Sequence, residues 1–519
     1  MVEGSPHSTV ETTSAPQHGT TAKHIRGSSL LLFGRMLALG LDFVIQVLIV
    51  RYLTKEDFGA FAYATSVVSL GASVALFGLD KASARFVPIF HEQRDYNKLF
   101  GMIVMVIGTI AALGLMLMLG VYGLQGWIGQ VLVDDQRSLA LLVMLIALSP
   151  LQALDSVLMG LLAIFASPRA IFFRKHLLAP SLKLIVVLLL ALSGSDVFFL
   201  ASGYLFASAV GVGIYAVVLI QVLGRQGLFR HWNWRTINIP AREVLSFSTP
   251  LLITDLVVVL RSSLIVVMLG YFGSTTDVAA FRAVFPVARQ NMVVLRSFTY
   301  LYMPLAARMF ARDDEKGIHD LYVQTAVWMA VITCPIFIAS FSLAQPITVL
   351  LFGTDYTQSG IILTLLALGH YTNAALGFNG VTLRVFGKVR YLVTIDFITA
   401  VISVGLSLLL IPPYAALGAA IATCGTYIVQ NALYQLGLRR GTGITLFKWR
   451  YARVYGSIAS AALGMLFVQS ILDLPIVASI IIAGLVSLFV LALNRRELDV
   501  SGTFPELLRF RLARRLFGT

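Results

Sequence analysis

The chain has 519 residues, of which 58% are hydrophobic and 12% are charged. Soluble domains carry about 25% charged residues, so this composition excludes a soluble globular protein and indicates a polytopic membrane protein. The formal net charge of +14 fits the positive-inside rule better than it fits nucleic-acid binding. The two cysteines, Cys334 and Cys424, lie in apolar segments and predict no disulfide framework.

The first 27 residues contain no run with the pattern of a signal peptide, and we expect a disordered cytoplasmic tail over 1–27. Apolar segments follow that are long enough to span a bilayer, about 17–25 residues each. They fall at 28–50, 57–79, 99–121, 138–163, 176–194, 197–223, 245–270, 278–303, 320–342, 359–384, 391–411, 414–437, 452–472 and 475–494. The sequence therefore predicts an all-α membrane protein with about 14 transmembrane helices, and with 12 if the weaker segments do not span.

Basic residues alternate along the predicted loops. The odd-numbered loops hold Arg51, Lys55 and Arg137, whereas the two ends of the chain and the even-numbered loops hold most of the others. Because cytoplasmic loops are enriched in Lys and Arg, this alternation places both termini in the cytoplasm. We therefore expect a multi-pass protein of the cell (inner or plasma) membrane.

The sequence also repeats itself at an offset near 220. The segment 52–61 resembles 271–281, and 165–169 resembles 386–390. Internal repeats of this kind are typical of transporters, whose substrate sites lie between the repeats. We expect two six-helix lobes around a central cavity, which we name the N-lobe and the C-lobe. The predicted parts are the N-lobe over 28–223, a cytoplasmic linker over 224–244, the C-lobe over 245–440, two extra helices over 441–498 and a basic amphipathic tail over 499–519.

The eighth predicted span carries Arg282, Arg289 and Arg296 at intervals of seven residues. On an α-helix seven residues return to within about 20° of the starting direction, so the three side chains share one face over about 21 Å. Because an arginine at the bilayer centre costs on the order of 3 kcal/mol, this face predicts a wet cavity or polar partners. A surface helix or a voltage-sensor-like element is the alternative, and the match of this segment to the unambiguous span 57–79 disfavours it.

The first span holds Arg35 and Asp42, and the seventh holds Asp255 and Arg261. At the repeat offset Arg35 corresponds to Asp255, and Asp42 falls within one residue of Arg261. Charges within spans face the interior or a water-filled space, and they pair with one another. Two interpretations stay open: structural ion pairs that hold the bundle together, or cavity charges that bind substrate and take up a coupling cation, H+ or Na+.

The five intramembrane arginines outnumber the two aspartates by three. Guanidinium groups bind phosphate bidentately, so this surplus favours a phosphate-bearing anion as the substrate. The predicted ligands are Arg35, Arg261, Arg282, Arg289 and Arg296, with Asp42 and Asp255 as ion-coupling or ion-pair residues.

Other polar residues within the spans carry weaker signals. His370, Tyr371 and Asn373 are candidates for contacting sugar hydroxyls, with a satisfied polar cluster between helices as the alternative. We expect Lys183 and Asp396 to be structural or interfacial. Catalytic and metal-ligand patterns do not occur in the sequence, so we expect neither an enzyme nor a cofactor or metal.

Two motifs carry a family resemblance. The segments 34–64 (GRMLALGLDFVIQVLIVRYLTKEDFGAFAYA) and 411–431 (IPPYAALGAAIATCGTYIVQN) resemble the polysaccharide transporters of the multidrug/oligosaccharidyl-lipid/polysaccharide (MOP) exporter superfamily. The resemblance implies a flippase that moves a polyprenyl-diphosphate-linked oligosaccharide from the cytoplasmic to the outer leaflet by alternating access. The partners it implies are the lipid-linked oligosaccharide, membrane lipids and the glycan polymerase machinery, but no nucleic acid.

Alternatives within and outside this superfamily stay open. A cation-coupled multidrug exporter is the first, although the arginine surplus argues against a site for cationic drugs. A lipid II flippase is the second, because such proteins resemble this chain in having cavity arginines on the first and eighth helices and two extra helices thought to hold the lipid tail. A membrane-embedded enzyme of polysaccharide assembly is the third, and the short external loops oppose it.

Overall fold

The computed structural model describes residues 17–131, 135–165, 172–233, 235–259, 263–445, 449–472 and 474–498. All regular secondary structure in these ranges is helical. The N-lobe helices are α1 Gln17–Tyr52, α2 Lys55–Leu76, α3 Leu79–Glu92, α4 Tyr96–Gly123, α5 Gln125–Val131, α6 Gln136–Leu145, α7 Leu148–Phe165, α8 Ala179–Ser193 and α9 Val197–Arg225. A π-helical segment, Phe172–Leu178, precedes α8.

The second half of the chain is also helical in its described residues. Its helices are α10 Ala241–Val259, α11 Ile265–Phe272, α12 Thr275–Arg289, α13 Val293–Phe310, α14 Glu315–Ser342, α15 Ala344–Phe352, α16 Ser359–Ala375, α17 Asn379–Val385, α18 Val389–Thr442, α19 Trp449–Leu472, α20 Ile476–Leu493 and α21 Arg495–Leu498. Short 3₁₀ segments occur at Leu228–His231, Gln290–Met292 and Thr354–Tyr356.

Eleven helices of the described part of the chain are long and apolar enough to cross a membrane, judged by length and composition. The all-α polytopic fold class is therefore confirmed. The predicted number of fourteen spans stays a prediction, because the 54-residue α18 counts once among the eleven and neither α1 nor the α10–α11 pair is included. The lobe boundaries also stay predictions, as do the positions of the termini, and the basic tail lies outside the described residues.

Helix α1 begins earlier than the sequence predicts. It starts at Gln17, within the segment 1–27 that we expected to be a disordered tail. Pro16 precedes its first residue, and the next 36 residues contain no proline that would interrupt the helix. The helical hydrogen-bond pattern therefore extends past the apolar span toward the N-terminus.

Helix α18 contains two helices that meet at a break. Ala415 has a positive φ of 46°, just after two consecutive prolines. A Cβ at Gly418 would lie 2.0 Å from the carbonyl oxygen of Leu410, so only glycine allows this close turn. Tyr391 at one end of the element donates a 2.7 Å hydrogen bond to the carbonyl of Leu433 near the other. These contacts define an antiparallel helical hairpin with two arms.

The two copies of the repeat motif form equivalent structures. The hydroxyl of Thr54 caps α2 by accepting from the backbone N–H of Asp57, and Ser274 forms a capping box with Asp277 at the start of α12. Such caps satisfy backbone donors that an α-helix leaves unpaired at its N-terminus. The motif therefore marks the N-terminus of the same helix in each lobe, and α2 and α12 pack against each other.

The lobes share an apolar core at the predicted outer end. Leu53 and Phe58 of the N-lobe belong to the same buried cluster as Phe352 and Tyr356 of the C-lobe. Within a bilayer such contacts are stabilised by close packing rather than by removal of apolar surface from water. The structure is therefore closed at this end.

Polar contacts join the lobes at the same end. The Arg51 guanidinium donates a 3.1 Å hydrogen bond to the carbonyl of Leu350. The Lys55 ammonium donates to the carbonyl of Asp355 at 3.3 Å and lies 5.6 Å from the centroid of the Tyr356 ring. These residues connect α1 and α2 of the N-lobe to α15 of the C-lobe and the 3₁₀ segment that follows it.

Candidate functional site

A cavity of about 270 Å³ lies between α1 of the N-lobe and the α12–α13 segment of the C-lobe. We name it the arginine cavity. Helix α1 lines it with residues three or four positions apart, which places them on one helical face. Its charged and polar lining residues are Arg35, Asp42, Gln46, Arg282, Arg289, Gln290, Arg296, Ser297 and Tyr300. Four guanidinium groups and one carboxylate therefore surround a space that is large enough for a small anionic group.

The three arginines of the ladder line this cavity together, although the helix that carries them is interrupted. Pro286 cannot donate a hydrogen bond to the carbonyl of Arg282, and a 3₁₀ turn follows at Gln290–Met292. Three residues of 3₁₀ geometry add about 60° of rotation relative to a continuous α-helix. Arg296 is therefore turned relative to Arg289, and both residues also line a second cavity in the C-lobe.

The ladder arginines form no hydrogen bond or ion pair with another described residue, although Tyr427 is close enough to Arg296 to interact with it electrostatically. The side chains of Arg282, Arg289 and Arg296 take part in none of the hydrogen bonds or ion pairs found there. Arg289 and Arg296 are accessible from the cavities, and Arg282 is half-buried. An anion entering the arginine cavity would therefore meet guanidinium groups that need not first give up another partner.

Arg35 contacts the C-lobe rather than Asp42. Its guanidinium donates to the Tyr300 hydroxyl and lies 5.8 Å from the centroid of the Tyr300 ring. Two residues seven positions apart on one helix are separated by about 10.5 Å along its axis, which explains why Arg35 and Asp42 do not pair. The Arg35–Tyr300 contact instead links α1 to α13 on the side of the cavity opposite the closed, predicted outer end.

Asp42 lines the arginine cavity and is accessible from it. Lys183 of α8 is close enough to interact electrostatically with Asp42 but forms no ion pair with it. The Lys183 ammonium lies 5.8 Å from the centroid of the Tyr204 ring. The carboxylate is thus the negative group of a predominantly positive cavity.

Asp255 has a different environment from the one expected. Its carboxylate accepts a hydrogen bond from the Lys81 ammonium in an ion pair, and it does not line the arginine cavity. Lys81 lies near the start of α3, so the pair joins the N-lobe to α10 of the C-lobe. Arg261, the predicted base beside Asp255, lies outside the described residues.

The second cavity, which we name the polar cavity, has a volume of about 490 Å³ and lies within the C-lobe. Phe285, Arg289 and Arg296 line both cavities. The polar and aromatic residues that complete the polar cavity are Phe281, His370, Asn373, Asp396, Phe397, Ser403, Thr423, Thr426, Tyr427 and Gln430. The two cavities therefore meet along the ladder segment.

The structure separates the three polar residues of the tenth predicted span. His370 and Asn373 line the polar cavity. Tyr371 points elsewhere: its ring stacks on Phe337 with centroids 3.9 Å apart, and its hydroxyl donates to the carbonyl of Ala330 at 3.1 Å. Tyr371 is therefore a packing residue between α16 and α14.

Sequence reasoning overlooks several residues of the two cavities. Tyr300 and Gln46 carry no charge, although Gln46 continues the α1 face that holds Asp42. A stronger signal exists in α18, where Thr423, Tyr427 and Gln430 are spaced three or four residues apart in an otherwise apolar segment. This spacing places polar groups on one helical face and indicates a polar surface within the membrane.

The helices and cavities define this chain as a multi-pass membrane protein with the architecture of a transporter. The profile of the family described as polysaccharide biosynthesis protein matches residues 25–310, which is more than half of the sequence. The chain belongs to this family.

Comparisons with individual proteins agree. The chain is 27% identical over 341 residues to the succinoglycan biosynthesis transport protein ExoT of Rhizobium meliloti (strain 1021), covering 63% of this chain and 62% of that protein. It thus matches less than two thirds of that relative's length.

Solved structures show the same fold. The lipid II flippase MurJ in an inward closed conformation matches with a TM-score of 0.69 at 16% identity, covering 91% of this chain and 99% of MurJ. An inward-facing multidrug resistance MATE transporter of the MOP superfamily matches with a TM-score of 0.61 at 14% identity, covering 79% of this chain and 95% of the other. The resemblance to MOP polysaccharide transporters is confirmed; at these identities the structural likeness establishes the fold alone.

Proposed function

We propose that the protein moves a polyprenyl-diphosphate-linked oligosaccharide from the cytoplasmic to the outer leaflet by alternating access. The observation that carries this proposal is the arginine cavity, in which four unmatched or weakly engaged guanidinium groups face one carboxylate between the two lobes. Membership of a polysaccharide biosynthesis family supports a saccharide as the cargo. Translocation of this kind requires no covalent chemistry, so we do not assign the protein an enzymatic activity.

The arginines that line the cavity suit a diphosphate in particular. Arginine presents a planar fork of N–H donors that matches the oxygens of a phosphate, and each charge-assisted hydrogen bond contributes about 1.5–3 kcal/mol. In our proposal Arg35 and Arg296 meet the headgroup first, and Arg289 and Arg282 receive it deeper in the cavity. Arg261 is proposed as a fifth ligand on the basis of its sequence position.

The described conformation fits loading from the cytoplasm. The shared apolar core closes the predicted outer end, whereas Arg35 and Tyr300 connect the lobes on the opposite side of the arginine cavity, in addition to the Lys81–Asp255 ion pair between α3 and α10. A diphosphate that engages Arg35 would compete with Tyr300 for the same guanidinium. Substrate binding would in this way weaken one contact between the lobes, which is a condition for a change of conformation.

The excess of positive charge in the arginine cavity favours an anionic cargo over the cationic drugs of a multidrug exporter of the same superfamily. A site for cationic drugs requires acidic or aromatic groups without several unpaired guanidinium groups, because like charges repel in a low-dielectric cavity. A lipid II flippase would require the same diphosphate chemistry and differs in its saccharide.

Charge reversal at the centre of the ladder tests the proposal. We expect Arg289→Glu to abolish export of surface glycan, because it removes one diphosphate ligand and adds a repelling carboxylate. Arg312→Glu is the matched control, since Arg312 is an exposed residue of the loop between α13 and α14. Surface glycan is measured in cells that carry each variant at equal membrane levels. Normal export by Arg289→Glu would rule out the proposed role of the ladder.

A further inference from the structure

We propose that the polar cavity is the subsite for the first sugars of the saccharide, so that the protein recognises the glycan as well as its diphosphate. This inference rests on the proposed function above. Arg289 and Arg296 line both cavities, so a diphosphate held by them lies at the point where the cavities meet. A sugar attached to that diphosphate has direct access to the polar cavity.

The carboxylate of Asp396 supplies the first feature of a carbohydrate site. Its Oδ1 accepts hydrogen bonds from the Gln430 amide at 2.8 Å and from the Tyr434 hydroxyl at 2.6 Å. Among the residues that the structure describes, none donates a hydrogen bond to its Oδ2. An ionised carboxylate accepts at both oxygens, so the fixed orientation of Asp396 leaves Oδ2 available for the O–H groups of a sugar.

A chain of buried amides supplies the second feature. The Asn379 amide donates to Asn431 Oδ1 at 2.9 Å, and the Asn431 amide donates to Asn373 Oδ1 at 3.2 Å. Asn373 therefore presents its N–H groups away from Asn431, and its amide nitrogen donates to the sulfur of Met292 at 3.6 Å. Because a thioether is a weak acceptor, an oxygen of a sugar would be a better partner for this preorganised donor.

Aromatic rings supply the third feature. The His370 ring lies 5.4 Å from the centroid of Phe285 and 4.9 Å from that of Tyr427, and Phe285 and Tyr427 both line the cavity. Sites for small molecules combine such apolar and aromatic walls with a few fixed polar groups. The volume of about 490 Å³ lies in the range of such sites, about 300–1,000 Å³.

These features act on different parts of one ligand. Guanidinium groups bind the diphosphate whatever sugar it carries, whereas Asp396 and Asn373 contact hydroxyl and amide groups that differ among sugars. A site built to hydrogen-bond a group discriminates strongly against a ligand that lacks it, because its own buried polar atoms then stay unpaired. The polar cavity would therefore set which saccharide is moved.

The test compares probes with and without a sugar. Binding of farnesyl diphosphate to the purified full-length protein is measured by calorimetry beside binding of farnesyl diphosphate linked to glucose, galactose or N-acetylglucosamine. We expect at least one linked probe to bind about tenfold more tightly than farnesyl diphosphate alone, equivalent to about 1.4 kcal/mol. Asp396→Asn and Asn373→Ala should each remove this gain while leaving the affinity for farnesyl diphosphate unchanged.

Controls separate this inference from the proposed function. Arg289→Gln should weaken binding of every probe, and Asp320→Asn, at an exposed position of α14, should change none. Unchanged binding of farnesyl diphosphate shows that the Asp396 and Asn373 variants are folded. If farnesyl diphosphate does not bind the unmodified protein, the diphosphate site itself is refuted. If it binds but no linked probe binds more tightly, or the gain survives both substitutions, the sugar subsite is refuted and the diphosphate site stands.

Discussion

Asp42 and Asp255 show how the same residue type acquires different surroundings in the two lobes. Asp42 is accessible from the arginine cavity, whereas Asp255 is held in an ion pair with Lys81. A carboxylate that faces a wet cavity can take up a cation when the cavity opens, and a paired one must first lose its partner. We propose both as ion-coupling residues, with Asp42 as the one that acts within the cavity.

A neutral amide at position 42 tests this assignment. Because an amide cannot be protonated or neutralise a sodium ion in the same way, Asp42→Asn should reduce the response of glycan translocation to an imposed H+ or Na+ gradient at least tenfold. The response is measured in proteoliposomes, with Asp320→Asn as the control. The assignment is withdrawn if neither Asp42→Asn nor Asp255→Asn changes the ion dependence.

Among the elements, the interrupted α12–α13 segment contributes most to the site. Pro286 removes one backbone hydrogen bond, and the 3₁₀ turn Gln290–Met292 begins four residues later. Both lie between the outer and inner ends of the arginine ladder. Helix breaks of this kind occur at membrane depth where the backbone lines a cavity, as it does here.

Restoring the missing hydrogen bond tests whether this break is a hinge. Pro286→Ala allows residue 286 to bond the carbonyl of Arg282 and should stiffen the segment. We expect translocation to slow by about tenfold while the affinity for farnesyl diphosphate stays within about twofold. Pro88→Ala in α3 is the control for removal of a helical proline elsewhere. Unchanged translocation by Pro286→Ala would identify a fixed kink instead.

The elements also explain what the sequence can predict about this site. The seven-residue spacing of the arginines depends only on the geometry of one helix. The three side chains still line one cavity because the short 3₁₀ turn adds only about 60° of rotation. Contacts such as Arg35–Tyr300 and Lys81–Asp255 join residues 265 and 174 positions apart. Local spacing in the sequence does not reveal which distant helices face each other, so these contacts become evident only in the structure.

The same reasoning holds for the polar cavity. Asp396 taken alone is consistent with a structural carboxylate, and its hydrogen bonds to Gln430 and Tyr434 become evident only when the two arms of the α18 hairpin pack together. The repeat motif is easier to interpret, because Thr54 and Ser274 cap helices through residues three positions away. Local signals are therefore predictable, whereas the packing of α16 against the second arm of α18 is not.

Across the whole molecule, closure at the predicted outer end depends on close contact between the lobes. A Cβ at Gly59 of α2 would lie 1.8 Å from the carbonyl oxygen of Thr275 at the start of α12. No side chain fits this position without moving one helix away from the other. The shared core around Leu53 and Phe352 depends on the same approach.

Adding a methyl group at Gly59 should therefore destabilise the closed state. Overpacking of this kind costs about 1–3 kcal/mol, and Gly59→Ala should lower the temperature at which the detergent-solubilised protein unfolds by several degrees. Gly108→Ala in α4 is the matched control, because a Cβ there meets nothing within 4 Å. An unfolding temperature unchanged by Gly59→Ala would contradict the close approach of α2 and α12.

The central claim is that an arginine-lined space between two lobes receives a diphosphate and delivers its saccharide to the outer leaflet. The most direct measurement is the fraction of diphosphate-linked saccharide that membrane-impermeant periodate oxidises on intact spheroplasts. The account predicts extensive oxidation with the unmodified protein and with Arg312→Glu. With Arg289→Glu it predicts protected saccharide that accumulates in the cytoplasmic leaflet. Equal oxidation with Arg289→Glu, at an equal level of protein in the membrane, would contradict the account.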